Sequence, residues 1–164
     1  MDYFWLTLKH KWFVLLAGLK IGAPLWRLLT HDLSKFGWNE YIHYQKQFFG
    51  EGSPKFNTAW VHHQNSNDHH WEYWIPRTGH DRGDSLDNVP IPMSSGAIRE
   101  MLADWVGASR AYTGAWPKED NWPWLDRVFD EKIAHRLHPD TLHKIVQLLY
   151  RHALTTKLFR EKYY

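Results

Sequence analysis

Apolar residues recur along this chain at helical spacing, and no segment shows the period-two alternation that a half-buried strand requires. From Tyr3 to Lys20, Trp5, Leu8, Trp12, Leu15, Leu16 and Leu19 fall three or four positions apart. Leu6, Phe13, Val14 and Ala17 form a second apolar face, which also carries His10. A helix apolar on two faces is expected to be wrapped by others on most sides. Its unbroken apolar run, residues 12–19, is too short to span a bilayer, and Lys20 interrupts any small-x-small cleavage site. The reading is therefore a buried first helix, with membrane association as the alternative.

Further helical patterns follow. Gly22 and Pro24 punctuate the chain, and Pro24 suits the first turn of a helix running through Leu25, Leu28 and Leu29 into His31-Asp32. A third helix uses Trp38, Tyr41, Ile42, Gln45, Phe48 and Phe49, and ends at the loop 50–54. A fourth uses Phe56, Ala59, Trp60 and His63, and Asp68 is placed to cap one more turn, through His69 and His70 to Trp74. Residues 76–92 have no period and read as a long surface loop. Ser94 or Ser95 caps a strong helix from Ala97 to Tyr112, and 114–124 is irregular, with Trp116, Trp122 and Trp124. A last helix begins near Pro139-Asp140, uses Leu142, Ile145, Val146 and Leu149, and breaks near Thr155 or beyond. Trp5, Trp12, Trp60 and Trp105 lie on helical stripes and read as core. The expectation is one all-α domain of about six to seven helices over residues 1–164.

Composition narrows the chemistry. The chain has no cysteine, which removes disulfides, zinc-thiolate sites and a Cys nucleophile, and suits a reducing cytoplasm. Any bound metal must then take imidazole nitrogen and carboxylate oxygen. A formal net charge of +2 falls short of the dense basic face that nucleic-acid binding predicts.

The sharpest local signal is Thr30-His31-Asp32-Leu33-Ser34-Lys35. Adjacent His and Asp on a helix project about 100° apart, so they can grip one metal while the carboxylate reaches a second ion with its other oxygen. Lys35 lies where its ammonium could meet a bound phosphate. The competing reading makes His31 a helix cap and Asp32-Lys35 a surface pair. His10 sits on an apolar face, where an unpaired imidazole costs desolvation energy. His62-His63 and His69-His70 flank a tight turn, and Asp104 stands among apolar neighbours in Met101-Leu102-Ala103-Asp104-Trp105. Glu40 and Glu72 are candidates for an orienting acceptor or proton carrier. Trp71 and Trp74 either wall the pocket or pack in the core. Arg110 and Tyr112 either reach substrate or, for Arg110, complement a helix C-terminus. His43, His80, His135, His138, His143 and His152 read as surface, cap or loop residues.

The ordered set His10, His31-Asp32, His63, His69 or His70, Asp104 resembles the HD-domain superfamily of metal-dependent phosphohydrolases. That resemblance places a metal-site core at about 5–112 and a C-terminal helical extension at about 125–160. A closer resemblance, over nearly the whole chain, is to the DUF5662 family of bacterial and phage proteins. It rests on His31-Asp32-Leu33-Ser34-Lys35-Phe36, Glu40-Tyr41, Ala59-Trp60-Val61-His62-His63, His69-His70-Trp71-Glu72-Tyr73-Trp74, Met101-Leu102-Ala103-Asp104-Trp105 and Leu137-His138-Pro139, with Asp68 standing where Pro is expected. The HD resemblance implies a first metal on His10, His31, Asp32 and Asp104. Asp32 would bridge to a second on His63 and one of His69 and His70. The cofactor would be one or two divalent transition metals, with Fe, Mn, Zn, Ni and Co all suited. Asp32, Lys35 and Glu72 are the expected catalytic residues. The implied function is hydrolysis of a small phosphate ester, a nucleotide or cyclic nucleotide, by a metal-activated water in the cytoplasm, or in the host cytoplasm for a phage protein. The alternatives are an HD-type di-iron oxygenase and a non-catalytic phage or bacterial interaction protein with a structural metal.

Overall fold

Asp2 opens the first helix, α1 (Tyr3–Ile21), by accepting a hydrogen bond from the Trp5 backbone N–H, and Gly22 closes it in the left-handed conformation. A computed structural model of the chain describes residues 2–76 and 89–163. The face of α1 that is buried is the second of its two apolar faces, carrying Tyr3, Thr7, His10, Val14, Ala17 and Ile21. Trp5, Trp12 and Leu19 project into solvent, so the expectation that α1 is wrapped on most sides fails on that side. The reason is steric. The long helix α5 (Ser95–Thr113) lies against the His10–Val14 face, and Gly107 brings the backbones so close that a Cβ there would lie 2.7 Å from the Val14 nitrogen. On the same side of α1, a Cβ on Gly18 would collide with Leu28 of α2 (Leu25–Thr30).

The remaining helices are α3 (Trp38–Phe49), α4 (Phe56–Ser66), α6 (Pro139–Arg151) and α7 (Lys157–Tyr163). Three 3-10 turns among the described residues, Leu33–Phe36, Trp71–Trp74 and Ala134–Arg136, connect the helices. Among the described residues there is no strand, only an isolated bridge between Lys118 and Asn121, and the fold is all-α. Val14 and Ala17 of α1, Ile98, Met101 and Leu102 of α5, and Ile145 and Leu149 of α6 share one buried core. A second, smaller cluster of Tyr3, Tyr44 and Ala59 joins α1 to α3 and α4. No described helix is long and apolar enough to cross a membrane.

Several boundaries differ from the sequence reading. The second helix stops at Thr30, before His31-Asp32, because Asp32 takes a left-handed conformation (φ 56°) that no continuing helix allows. Asp68 does not cap the Trp71–Trp74 turn; its carboxylate is held by Arg27 instead. Residues Leu125–Ile133 form a π-helix that buries Leu125, Phe129 and Ile133, four positions apart. The last pattern resolves into α6, opened by the His138 ring accepting from the Asp140 N–H, and a separate α7. Ser94 caps α5 by accepting from the Ala97 N–H. Most of the expected long loop, with His80, lies outside the described residues. Of the tryptophans read as core, Trp5, Trp12 and Trp60 are exposed, while Trp105 packs beside Trp124 and Phe129.

The contact of Gly107 with Val14 is backbone on backbone, so no side-chain rotation relieves it. Gly107→Ala should cost about 1–3 kcal/mol, read as a lower urea midpoint and a melting temperature lower by several degrees. An unchanged midpoint would mean that α1 and α5 separate freely.

Candidate metal centre

The centre is built where α1, α4 and α5 meet the turn that follows α2. His31 leaves α2 in an extended conformation, and its carbonyl accepts from the Lys11 ammonium. Asp32 then turns left-handed, and its carbonyl accepts from the Lys35 N–H at 3.1 Å to start the 3-10 turn. That φ costs most residues about 1–2 kcal/mol, and Asp tolerates it better than most. It lets two adjacent side chains turn inward together; both His31 and Asp32 are buried.

Asp32 is the junction of two ligand clusters. In the first, its Oδ2 lies 3.3 Å from His31 Nε2 and 3.6 Å from His10 Nε2. The Asp104 Oδ1 lies 3.0 Å from the same His10 nitrogen and 3.6 Å from the His31 nitrogen. In the second, Asp32 Oδ1 lies 3.2 Å from His63 Nε2 and 3.4 Å from His69 Nε2, with His70 alongside. Ligands at about 2.0–2.2 Å from one tetrahedral ion stand roughly 3.3–3.6 Å apart, and these separations, from 3.0 to 3.6 Å, lie in or near that range. Asp32 Oδ1 and the Nε2 atoms of His63, His69 and His70 are buried and make no hydrogen bond among the described residues. Four such atoms around one point leave polar groups desolvated without compensation, and a cation there removes that cost. The residues therefore fit a metal.

Two buried carboxylates orient the imidazoles. Glu100 Oε1 accepts from His31 Nδ1 at 3.0 Å and from His69 Nδ1 at 3.2 Å, and its Oε2 accepts from Arg27 Nε at 2.6 Å. Glu40 Oε2 accepts from His63 Nδ1 at 2.9 Å and from the Ser34 hydroxyl at 3.1 Å, while its Oε1 accepts from His62 Nδ1 at 2.7 Å. A proton kept on Nδ1 leaves the Nε2 lone pair for a metal. The His31, His69 and Glu100 group is thus an orienting bridge between clusters.

The electrostatics follow from burial among opposite charges. Burial works against the Asp32 carboxylate, but the charges of His31 and Lys35 and the His10 hydrogen bond outweigh it, and its pKa lies well below the usual range. Glu100 likewise overcomes burial through His31 and His69 and falls to about 2. The same carboxylates raise His31 and His69 against their own burial. His70 is pushed well below the ordinary imidazole value, by burial first and then by His69 and His63. A metal bound there would compete with protons for the ligand nitrogens.

Every sequence-proposed ligand, His10, His31, Asp32, His63, His69, His70 and Asp104, falls in one of the two clusters. Asp32 and Lys35 do pair, but in the interior, with Lys35 on the wall of a cavity of about 210 Å³ that opens beside His10, His70 and Asp104. Tyr44, Trp60 and Tyr112 line that cavity. Trp71 and Trp74 pack against the core instead, and Trp74 Nε1 donates to the Asp68 carbonyl. Glu72 belongs to neither cluster: it accepts from Gln64 at 2.7 Å, and His62 also stays outside, on Glu40. Arg110 lies over the Phe13 and Trp116 rings. Sequence reasoning missed Glu100 and Arg27. For Glu100 the signal was its place four residues before Asp104 on one helical face; Arg27 carried no such signal, because α2 ends at Thr30 before His31.

Residues 1–151 match the family model described as a family of unknown function (DUF5662). No curated protein and no solved structure matches the chain.

Glu100→Gln keeps the shape but removes the charge that fixes His31 and His69. It should weaken metal binding by about 10–100-fold in competition with a chelator of known affinity; undiminished affinity would deny Glu100 its orienting role.

Proposed function

The chain belongs to the DUF5662 family, and we propose that it is a metal-dependent phosphohydrolase acting on a small phosphate ester, with nucleotides and cyclic nucleotides as the substrate class. The observation that carries this reading is Asp32, a buried carboxylate with one oxygen in each of two histidine clusters. His10, His31, Asp32 and Asp104 would hold one divalent transition metal, and Asp32, His63, His69 and His70 a second. When bound, such ions supply Lewis acidity and a water whose pKa is lowered toward neutrality. A nitrogen and oxygen donor set of this kind suits Fe, Mn, Zn, Ni or Co. The order of these ligands along the chain, which resembles that of HD-domain enzymes, supports the same reading.

The protein's own groups divide the remaining work. Glu100 and Glu40 keep the ligand imidazoles in one tautomer and one orientation. The Lys35 ammonium, fixed by Asp32 on the cavity wall, is placed to meet a phosphate oxygen and to stabilise charge that develops there. Tyr44, Trp60 and Tyr112 exclude water from one side of the cavity and offer rings to a planar substituent. A second cavity of about 520 Å³, walled by Trp105, Trp116 and Trp124, shares Ala108 and Tyr112 with the first and extends the room for a leaving group. Glu72, bonded to Gln64, has no part in this scheme. Phosphorylated small molecules of this class are cytoplasmic, in the host for a phage protein, which accords with the cysteine-free composition.

Protein purified without added metal should contain up to two transition-metal ions per chain and hydrolyse members of a phosphoester and nucleotide panel with Mn, Co or Ni. Asp32→Ala should abolish turnover and metal retention together. Lys35→Met should lower kcat by about 10²-fold or more while metal is kept. Bound iron with an oxygen-dependent optical change and no hydrolysis would point to the di-iron oxygenase. Metal retained without turnover on the panel would favour a structural role.

A further inference from the structure

The solvent side of α1 is apolar. At 100° per residue, Phe4, Trp5, Trp12 and Leu19, with the half-buried Leu8 between them, project within an arc of about 100°, opposite the stripe that packs on α5; Leu15, near the edge of that arc, packs against the core. Trp5, Trp12 and Leu19 are 60%, 57% and 56% exposed. On α2 and the turn after it, Leu25, Trp26, Leu29 and Leu33 are exposed as well, Trp26 at 64%. Exposed apolar surface on this scale marks an interaction site, since water is a poor partner for it.

Charge selects the occupant. Between Tyr3 and His31 the sequence carries Lys9, Lys11, Lys20 and Arg27 and no Asp or Glu. Lys9 and Lys20 flank the apolar arc on one side and Lys11 on the other. Lys9 and Lys11 donate to the carbonyls of Ala111 and His31, which fixes their positions without cancelling their charge. A second copy docked on this face would bring these lysines against their own kind, with no carboxylate on either helix to answer them. An anionic lipid surface answers both features: indole rings settle at headgroup level, and lysines beside an apolar arc reach lipid phosphates.

We propose that the exposed face of α1 docks the protein on the surface of a membrane rich in anionic lipid, without spanning it. The metal centre lies on the opposite side of α1, reached through His10, so the proposal stands apart from the assignment of a reaction. The full-length chain should sediment with vesicles of phosphatidylcholine mixed with phosphatidylglycerol and far less with phosphatidylcholine alone. Trp5→Gln with Trp12→Gln should weaken that binding, and so should Lys9→Gln with Lys20→Gln, each by about tenfold or more; circular dichroism and melting identify any variant that fails to fold. No binding to the anionic vesicles, equal binding to both kinds, or undiminished binding by both folded variants would overturn the proposal. A concentration-dependent dimer broken by the tryptophan substitutions, with vesicles unbound, would assign the face to a second copy instead.

Discussion

Asp32, Glu40 and Glu100 are carboxylates removed from water in a chain of 164 residues, and the arrangement of the helices answers that burial. An isolated ionised carboxylate in an apolar interior would cost far more than the net stability of a domain, so each must be surrounded by donors. Arg27 comes to Glu100 from α2, His31 from the turn beyond it, and His69 from the turn after α4. Glu40 of α3 gathers the Ser34 hydroxyl and two histidines of α4. Polar satisfaction thus fixes α2, α3 and α4 around the face of α1 and α5, as much as apolar packing fixes α1 against α5.

The two kinds of constraint meet on α5. Its apolar residues Ile98, Met101 and Leu102 enter the main core, while Glu100 and Asp104, one turn apart, face the histidines. Gly107 follows and lets α1 come close enough for His10 to reach Asp104. A helix that serves a core and a polar centre at once must hold its rotation about its own axis to within one side chain, which the backbone contact with Val14 enforces.

The residue types of the site were legible because burial makes them conspicuous: His10 on an apolar stripe, Asp104 among Met101, Leu102 and Ala103, and paired histidines on both sides of a turn. Their convergence matched the spacing even though one premise failed. His31 and Asp32 point inward from an extended residue and a left-handed one, not from a helix, and no side-chain pattern announces a positive φ at Asp. Glu100 was hidden by its neighbour Arg99, since an adjacent acid and base read as solvated helix surface. The all-α class could be read from periodicity. The orientation of α1 could not, because both of its faces are apolar and only the glycines at 18 and 107, read together in space, decide which face is buried. Leu125, Phe129 and Ile133 recur at the i, i+4 spacing of an ordinary α-helix, so the side-chain pattern marks a helix but does not reveal its π geometry.

Glu100 accepts from one histidine of each cluster, and Asp32 gives an oxygen to each. Two ions bound in these clusters therefore would not behave as if in separate wells. An ion in the first would fix the Asp32 carboxylate and hold His31 against Glu100, and so would order the groups that His69 and His63 meet in the second, while its positive charge would oppose a second ion nearby. By thermodynamic reciprocity, whatever the second ion does to the first, the first does equally to the second. Loaded with metal, the centre would be a linked pair whose occupancy is a property of the pair, with a binding isotherm that two independent sites do not produce.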